Sequence, residues 1–184
     1  MVVIGITGTL GAGKGTIVEF LKDKYGFSHY SVRDYLIEEI KKRKLKVDRD
    51  SMTMVANELR ANNSPSYITD QLYLKAVSEN KNCIIESIRT PGEILSLKQK
   101  ASFYLFAVDA NPKVRYERIT LRKSDTDSID YNTFLANEAR EMNTTDPNKQ
   151  NLSKCISMAD FVFNNDGDID SLNKKIEETL TNIL

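Results

Sequence analysis

Four glycines and a lysine stand close together near the N-terminus. The segment reads Gly8-Thr9-Leu10-Gly11-Ala12-Gly13-Lys14-Gly15-Thr16 and separates an apolar run from an amphipathic stretch. Glycines let the backbone curl so that successive N–H groups point at one phosphate. A following helix adds the positive end of its dipole, and a lysine at this position reaches the β- and γ-phosphates. We therefore predict that residues 8–16 bind a nucleoside triphosphate and that Lys14 is catalytic. A glycine-rich turn without a ligand is the alternative.

The motif departs from the G-x-x-x-x-G-K-[ST] pattern at one position. Gly15 stands where a hydroxyl usually ligates Mg²⁺, and Thr16 follows one residue later. We predict Thr16 as a metal ligand.

Composition restricts the classes of partner. The chain has 184 residues with 26 Lys+Arg and 26 Asp+Glu, so the formal net charge is zero. Proteins that bind nucleic acids or anionic membranes usually carry a basic surplus, so we expect neither partner. Cys83 and Cys155 lack metal-ligand spacing, and we expect both to be reduced and buried. No apolar run approaches the length of a membrane span, and the expected location is cytoplasmic. We expect His29 to be a partly buried hydrogen-bonding residue.

Short apolar runs alternate with longer amphipathic stretches, which predicts an α/β fold with a parallel sheet. The runs are Val2–Thr7, Phe27–Ser31, Cys83–Glu86, Phe103–Val108 and Phe161–Phe163. Most are apolar at every position, as in strands covered by helices on both faces. About 50 residues separate the second and third runs, and they predict a three-helix insertion beside the sheet.

The G-K-G-T variant and the segment Gly26–Leu36 resemble the nucleoside monophosphate kinases (adenylate kinase and its relatives) and the dephospho-coenzyme A kinases. The segment looks like the second strand of those enzymes entering their acceptor-binding helix. The resemblance implies that Ser31, Arg33 and Asp34 bind the acceptor. The arginine that ends this motif in adenylate kinases is replaced by Ile37.

A second match is Ile84-Ile85-Glu86-Ser87-Ile88-Arg89, where adenylate kinases have D-G-F-P-R. The resemblance implies a carboxylate near Mg²⁺, here Glu86, and an arginine on the acceptor phosphate, here Arg89. Glutamate replaces aspartate and serine replaces glycine.

A third match begins at Asn111-Pro112 and looks like the helix that leads into the lid of these enzymes. It implies that Arg118 and Arg122 face the donor nucleotide, with Arg115 adjoining them, and that Arg122 is catalytic. Arg140 would return from the lid as a further catalytic arginine. The stretch 158–165 resembles the last strand of dephospho-coenzyme A kinases.

The resemblance covers nearly the whole chain and implies one P-loop NTPase domain: a three-layer sandwich with a five-stranded parallel sheet and helices on both faces. Residues 1–31, 81–122 and 152–184 would form its core. A helical acceptor-binding insertion would occupy 32–80, and a short lid would occupy 123–140.

The function implied is transfer of the γ-phosphoryl group of ATP, with Mg²⁺, to a small nucleotide. A nucleoside monophosphate is favoured over the hydroxyl acceptor dephospho-coenzyme A. A phosphate acceptor needs no general base, whereas a hydroxyl acceptor benefits from one, either Asp34 or Glu86. A regulatory or non-catalytic nucleotide-binding protein remains as a further alternative, although an N-K-x-D base-reading motif is missing from the sequence.

Overall fold

The computed structural model describes residues 1–122 and 129–184. Five parallel strands form one sheet in the order β2-β3-β1-β4-β5. They are β1 (Val2–Gly8), β2 (Ser28–Ser31), β3 (Cys83–Glu86), β4 (Ser102–Asp109) and β5 (Phe161–Asn164). The five apolar runs therefore predicted the strands to within one residue at each end.

Apolar residues on both faces of β1 serve two cores at once. Val3 packs into one core, whereas Ile4 and Ile6 pack into the other, because successive side chains of a strand point to opposite faces of the sheet. One core is completed by α1 (Lys14–Tyr25) and α9 (Ile169–Leu180).

Three helices lie between β2 and β3, as the length of this segment predicted. They are α2 (Val32–Lys42), α3 (Arg49–Asn62) and α4 (Tyr67–Glu79), and their apolar residues contribute to the second core. The side chain of Ser31 accepts a hydrogen bond from the Asp34 backbone N–H and caps α2. Asp48 caps α3 in the same manner.

Four further described helices lie between β3 and β5 in the chain, one before β4 and three after it. They are α5 (Pro91–Lys100), α6 (Pro112–Arg122), α7 (Tyr131–Met142) and α8 (Leu152–Ser157). Residues 123–128 of the expected lid lie outside the described residues, and the rest of that region, 129–140, contains most of α7.

The parallel strands bring several polar residues to one edge of the sheet. β1 ends at the glycine-rich loop, and its neighbours β3 and β4 end at Glu86 and Asp109. Ligands of open α/β sheets bind at the carboxyl ends of the strands, so this edge is where a functional site is expected. The architecture is the α/β P-loop kinase-like fold that the sequence predicted. In the described part of the chain, no helix is long and apolar enough to cross a membrane.

Candidate active site

The loop between β1 and α1 has a backbone that side chains would not fit. Gly8, Gly11 and Gly13 have φ values of 140°, 79° and 107°, in the region that favours glycine. A Cβ atom on Gly13 would lie 2.3 Å from Asn165 Nδ2, and one on Gly8 would lie 2.0 Å from a backbone oxygen. Asn165 also donates to the Ala12 carbonyl at 2.8 Å. The loop is thus held in its curled shape by its own neighbours.

Lys14 already curls back over the loop. Its Nζ donates to the carbonyl oxygens of Gly8 and Thr9 at 3.0 and 2.8 Å. Burial lowers the pKa of Lys14 from its usual 10.5 to about 7, and the positive charge of Arg89 acts in the same direction, while Glu86 partly opposes both. The protein surroundings of Lys14 therefore destabilise its charged form, which a bound anion would stabilise.

A cavity of about 540 Å³ opens above the loop. It brings together most of the residues that the sequence predicted for the donor nucleotide and the metal: Gly11, Gly13, Lys14, Gly15, Thr16, Glu86, Arg118 and Arg122 line it. We name it the donor cavity. Arg118 also donates to the Gly167 carbonyl at 3.4 Å, next to β5.

Glu86 is held at the end of β3 with its side chain 18% exposed, and its Oε2 lies 3.2 Å from His29 Nε2. Burial acts to raise the pKa of Glu86, but the hydrogen bond with His29 and the charge of Lys14 outweigh it and leave the pKa below its usual value. Glu86 is therefore ionised at neutral pH. His29 is partly buried and hydrogen-bonded, as expected.

The oxygen donors in the donor cavity suit Mg²⁺. A hydroxyl on Thr16 and an ionised carboxylate on Glu86 line it together, and a Cβ atom on Gly15 would meet nothing within 4 Å. Among residues 1–122 and 129–184, no cluster of three or more His, Cys, Asp or Glu side chains could hold a metal. Mg²⁺ commonly takes one or two protein ligands and completes its shell with phosphates and water, so the residues present fit that mode of binding.

A second, smaller cavity of about 110 Å³ lies between α2, α3 and the end of β3. We name it the acceptor cavity. Apolar side chains of α2 and α3 form one wall, and four arginines line it: Arg33, Arg49, Arg60 and Arg89. The donor and acceptor cavities share four lining residues, namely Leu10, Arg33, Ser87 and Arg89. The two cavities therefore meet at Arg33 and Arg89.

The turn after β3 directs Arg89 to this meeting point. Ser87 has a φ of 71°, so the left-handed backbone is kept although serine replaces the glycine found there in adenylate kinases. The Ser87 and Ile88 N–H groups both donate to the Ile6 carbonyl, at 3.0 and 3.1 Å. Glu93 then accepts from the Arg89 N–H at 2.7 Å and from the Thr90 N–H at 2.9 Å, which caps α5.

Glu93 also holds an arginine that sequence reasoning missed. Arg60 Nη2 and Nε donate to Glu93 Oε1 at 3.0 and 3.3 Å, and the two side chains are 1% and 0% exposed. Arg49, eleven positions earlier on α3, also lines the acceptor cavity. The apolar periodicity of α3 was visible in the sequence, but the direction of its arginines depends on how α3 packs.

Two carboxylates of helix α7 pair with arginines from other parts of the chain. Glu141, with its side chain 7% exposed, accepts from Arg49 through Oε1 and from Arg89 through Oε2, the latter at 3.3 Å. Glu138, one turn earlier on the same face, accepts from Arg115. The sequence analysis assigned no role to either glutamate, because each partner is distant in the chain.

Arg115 differs from its sequence-based placement. It was expected to adjoin Arg118 and Arg122, the pair expected to face the nucleotide, but it is 2% exposed and fully engaged inside the protein. It donates to the Ala110 carbonyl at 2.7 Å and the Leu10 carbonyl at 3.3 Å, and pairs with Glu138. Arg115 therefore links α6 and α7 to the glycine-rich loop and does not point at a ligand.

Outside the glycine-rich loop, three other predicted site residues lie away from the cavity linings; within the loop, the linings also omit Gly8, Thr9 and Ala12. Arg140 is half exposed and lies 3.5 Å from Asp50. Ser31 caps α2, and Asp34 is exposed at the start of that helix. The lining residues of the two cavities include none of these three.

Comparison with protein families matches residues 4–146 to a family described as AAA domain. A UPF0200 protein of Methanococcus maripaludis strain C7 is 32% identical over 188 aligned positions, which cover 100% of this chain and 98% of that protein. A UPF0200 protein of Methanocaldococcus jannaschii is 29% identical, with 100% of this chain and 91% of that protein covered.

Solved structures share the fold at low sequence identity. TT1252 from Thermus thermophilus superposes with a TM-score of 0.65 and 16% identity, over 100% of this chain and 98% of that one. A shikimate kinase from Bacteroides thetaiotaomicron gives a TM-score of 0.61 and 16% identity, with 98% of each chain covered. At these identities the likeness shows a common P-loop kinase-like fold.

Proposed function

The chain belongs to the UPF0200 family and carries an AAA domain of the P-loop type, and we propose that it is an ATP-dependent phosphotransferase. It would transfer the γ-phosphoryl group of ATP to a small nucleotide, with a nucleoside monophosphate as the favoured acceptor. One observation carries the proposal: the donor and acceptor cavities meet at Arg33 and Arg89. A triphosphate in one cavity and an acceptor in the other would face each other across two guanidinium groups.

The donor side supplies positive charge around the transferred group. Phosphoryl transfer requires in-line positioning and stabilisation of charge on three equatorial oxygens. Lys14 and the backbone N–H groups of residues 8–16 would bind the phosphates, with Arg118 and Arg122 on the far side of the donor cavity. Thr16 and Glu86 would hold Mg²⁺, which neutralises charge on the β- and γ-phosphates when bound.

On the acceptor side, Arg89 would hold the acceptor phosphate. A planar guanidinium meets a phosphate in a bidentate manner and keeps its proton. The attacking oxygen of a nucleoside monophosphate is already anionic, so no protein group has to remove a proton.

The state of Glu86 favours the phosphate acceptor over a hydroxyl acceptor. A general base works best with a pKa near the operating pH, whereas the pKa of Glu86 is lowered by His29 and Lys14. Asp34, the other candidate base, is exposed and away from both cavities. Glu86 therefore suits a metal ligand better than a base. Transfer to the hydroxyl of dephospho-coenzyme A stays as the second candidate, supported by the resemblance of the last strand.

An acceptor screen tests the proposal. ADP production should be followed with ATP and Mg²⁺ over nucleoside monophosphates, deoxynucleotides and dephospho-coenzyme A. We expect acceptor-dependent ADP release with one or more monophosphates. ADP release that no acceptor stimulates would contradict the transfer function and leave a nucleotide-hydrolysing or regulatory protein.

A further inference from the structure

Two arginines of α3 each have a buried nitrogen atom that donates no hydrogen bond within the described part of the chain. Arg60 Nη1 and Arg49 Nε are buried and find no hydrogen-bond partner among the residues that the structure describes. Both residues line the acceptor cavity. A buried donor of a charged group left unpaired is costly, because it has lost its hydrogen bonds to water and gained none in the protein. Such donors are expected where a ligand supplies the missing acceptor.

The Glu141 carboxylate lies among these arginines. Its two oxygens are divided between Arg49 and Arg89, so each guanidinium receives one oxygen and none forms a bidentate pair. The carboxylate also comes from α7 (Tyr131–Met142), most of which belongs to the expected lid region 123–140. Glu141 thus occupies an arginine site that it fills incompletely.

The net charge of this arginine site indicates which anion would fit it better than the Glu141 carboxylate. Arg49, Arg60 and Arg89 carry three positive charges, and Glu93 is committed to Arg60. Glu141 leaves one positive charge without compensation in this set. A phosphate dianion in the place of Glu141 would neutralise it and bring three acceptor oxygens instead of two. A ligand carboxylate would only exchange one single negative charge for another.

We propose that Arg49 and Arg60, together with Arg89, bind the phosphate dianion of the acceptor, and that Glu141 occupies this site until the acceptor displaces it. The inference rests on the proposed function, since it names the anion site of that acceptor. It also explains how the chain dispenses with the adenylate kinase arginine that Ile37 replaces: the guanidinium groups come from α3. Displacing Glu141 would break its ion pair with Arg49, which links α7 to α3; the exposed Arg140–Asp50 pair between the same helices contributes little.

Titration of inorganic phosphate measures this site directly. Phosphate is added to the ADP-saturated protein at about pH 8, where it is predominantly the dianion, and heat of binding is recorded. We expect Glu141→Gln to bind phosphate about tenfold more tightly, because a competing charge is removed. Arg49→Gln, whose side chain is 22% exposed in the wild type, should bind it at least tenfold more weakly. Acetate should bind to the wild-type protein at least tenfold more weakly than phosphate does.

Glu58→Gln is the matched control. Glu58 is also a glutamate paired with an arginine of the insertion, but the pair is exposed, with Glu58 47% exposed. Its phosphate affinity should equal that of the wild type. Arg60→Met tests the contribution of Arg60, but it leaves Glu93 without its ion-pair partner in the interior. If Arg60→Met does not fold, Arg49→Gln still tests the proposal.

The outcomes separate this inference from the proposed function. Equal phosphate affinity in wild type, Glu141→Gln and Arg49→Gln would overturn it and indicate binding elsewhere. Weaker phosphate binding in Glu141→Gln would show that Glu141 only shapes the cavity. Failure of ADP to bind would count against the proposed function, and the phosphate titrations could then be compared without ADP, because none of the substitutions lies in the glycine-rich loop.

Discussion

Binding of ATP should be accompanied by uptake of a proton, because of the state of Lys14. Its pKa is lowered to about 7 by burial and by Arg89, so above pH 7 the amine of the free protein is mostly neutral. The phosphates of ATP favour the charged amine and would return its pKa toward the usual range. At pH 8 about 0.9 proton should enter per ATP bound, since one pH unit above a pKa leaves roughly a tenth of the amine protonated.

The same coupling between ATP binding and protonation of Lys14 determines how the affinity for ATP depends on pH. The charged form is the one that binds, and its fraction falls about tenfold for each pH unit well above the pKa. The dissociation constant for ATP should therefore rise about tenfold between pH 8 and pH 9, a range in which ATP itself no longer titrates.

Isothermal titration calorimetry in two buffers of different ionisation enthalpy measures the uptake at fixed Mg²⁺. Lys14→Met should abolish it, whereas the exposed Lys22→Met should keep it. A His29→Gln variant checks the neighbouring imidazole, which contacts Glu86. Zero net proton uptake at pH 8 in the wild type, or uptake that persists in Lys14→Met, would refute the reasoning.

Three further predictions concern the geometry of the site. Gly13→Ala should lower the free energy of unfolding by more than ~1 kcal/mol, because φ is 107° and the Cβ would lie 2.3 Å from a side-chain nitrogen. Gly15→Ala, at an open helical position, should raise the free energy of unfolding by ~0.5 kcal/mol. Urea denaturation of the two variants measures both changes, and equal effects would contradict the loop geometry. Glu93→Gln should cost about 3 kcal/mol in the same assay, because it leaves Arg60 as a buried unpaired charge; a loss under 1 kcal/mol would show that this pair is dispensable. Arg89→Ala should raise the acceptor KM at least tenfold and change ATP affinity less than threefold, as measured by initial rates and calorimetry; an equal loss of both would place Arg89 on the donor side.

The strands and the loop were predictable from the sequence because local patterns determine them. β3 (Cys83–Glu86) was predicted with its observed boundaries, since a run of apolar residues ends at a charged one. The segment Asn62-Asn63-Ser64-Pro65 lies at the end of α3, and Asn, Ser and Pro are local signals that end helices. Glycines at positive φ, as at Gly13, leave a clear signal in the sequence.

The arginines were predictable only in part, because their roles depend on contacts between distant elements. Arg115 was expected at the nucleotide, yet Glu138, 23 positions away, holds it in the interior. Arg140 was expected to face the transferred group, yet on α7 it is Glu138 and Glu141, three positions apart on one face, that point inward. No local pattern distinguishes an inward glutamate from a solvated one. Helical spacing gives the faces, but the packing of α7 decides which of them meets the site.

Transfer of labelled γ-phosphoryl from ATP to a nucleoside monophosphate tests the central claim most directly. A single-turnover experiment compares the wild type with Lys14→Ala, and the control is the exposed Lys22→Ala. We expect labelled nucleoside diphosphate from the wild type and from the control. Lys14→Ala should transfer the label at a rate at least ~10²-fold lower, as is typical for loss of a group that stabilises transition-state charge. Label appearing only as inorganic phosphate, or transfer at an equal rate by Lys14→Ala, would contradict the central claim.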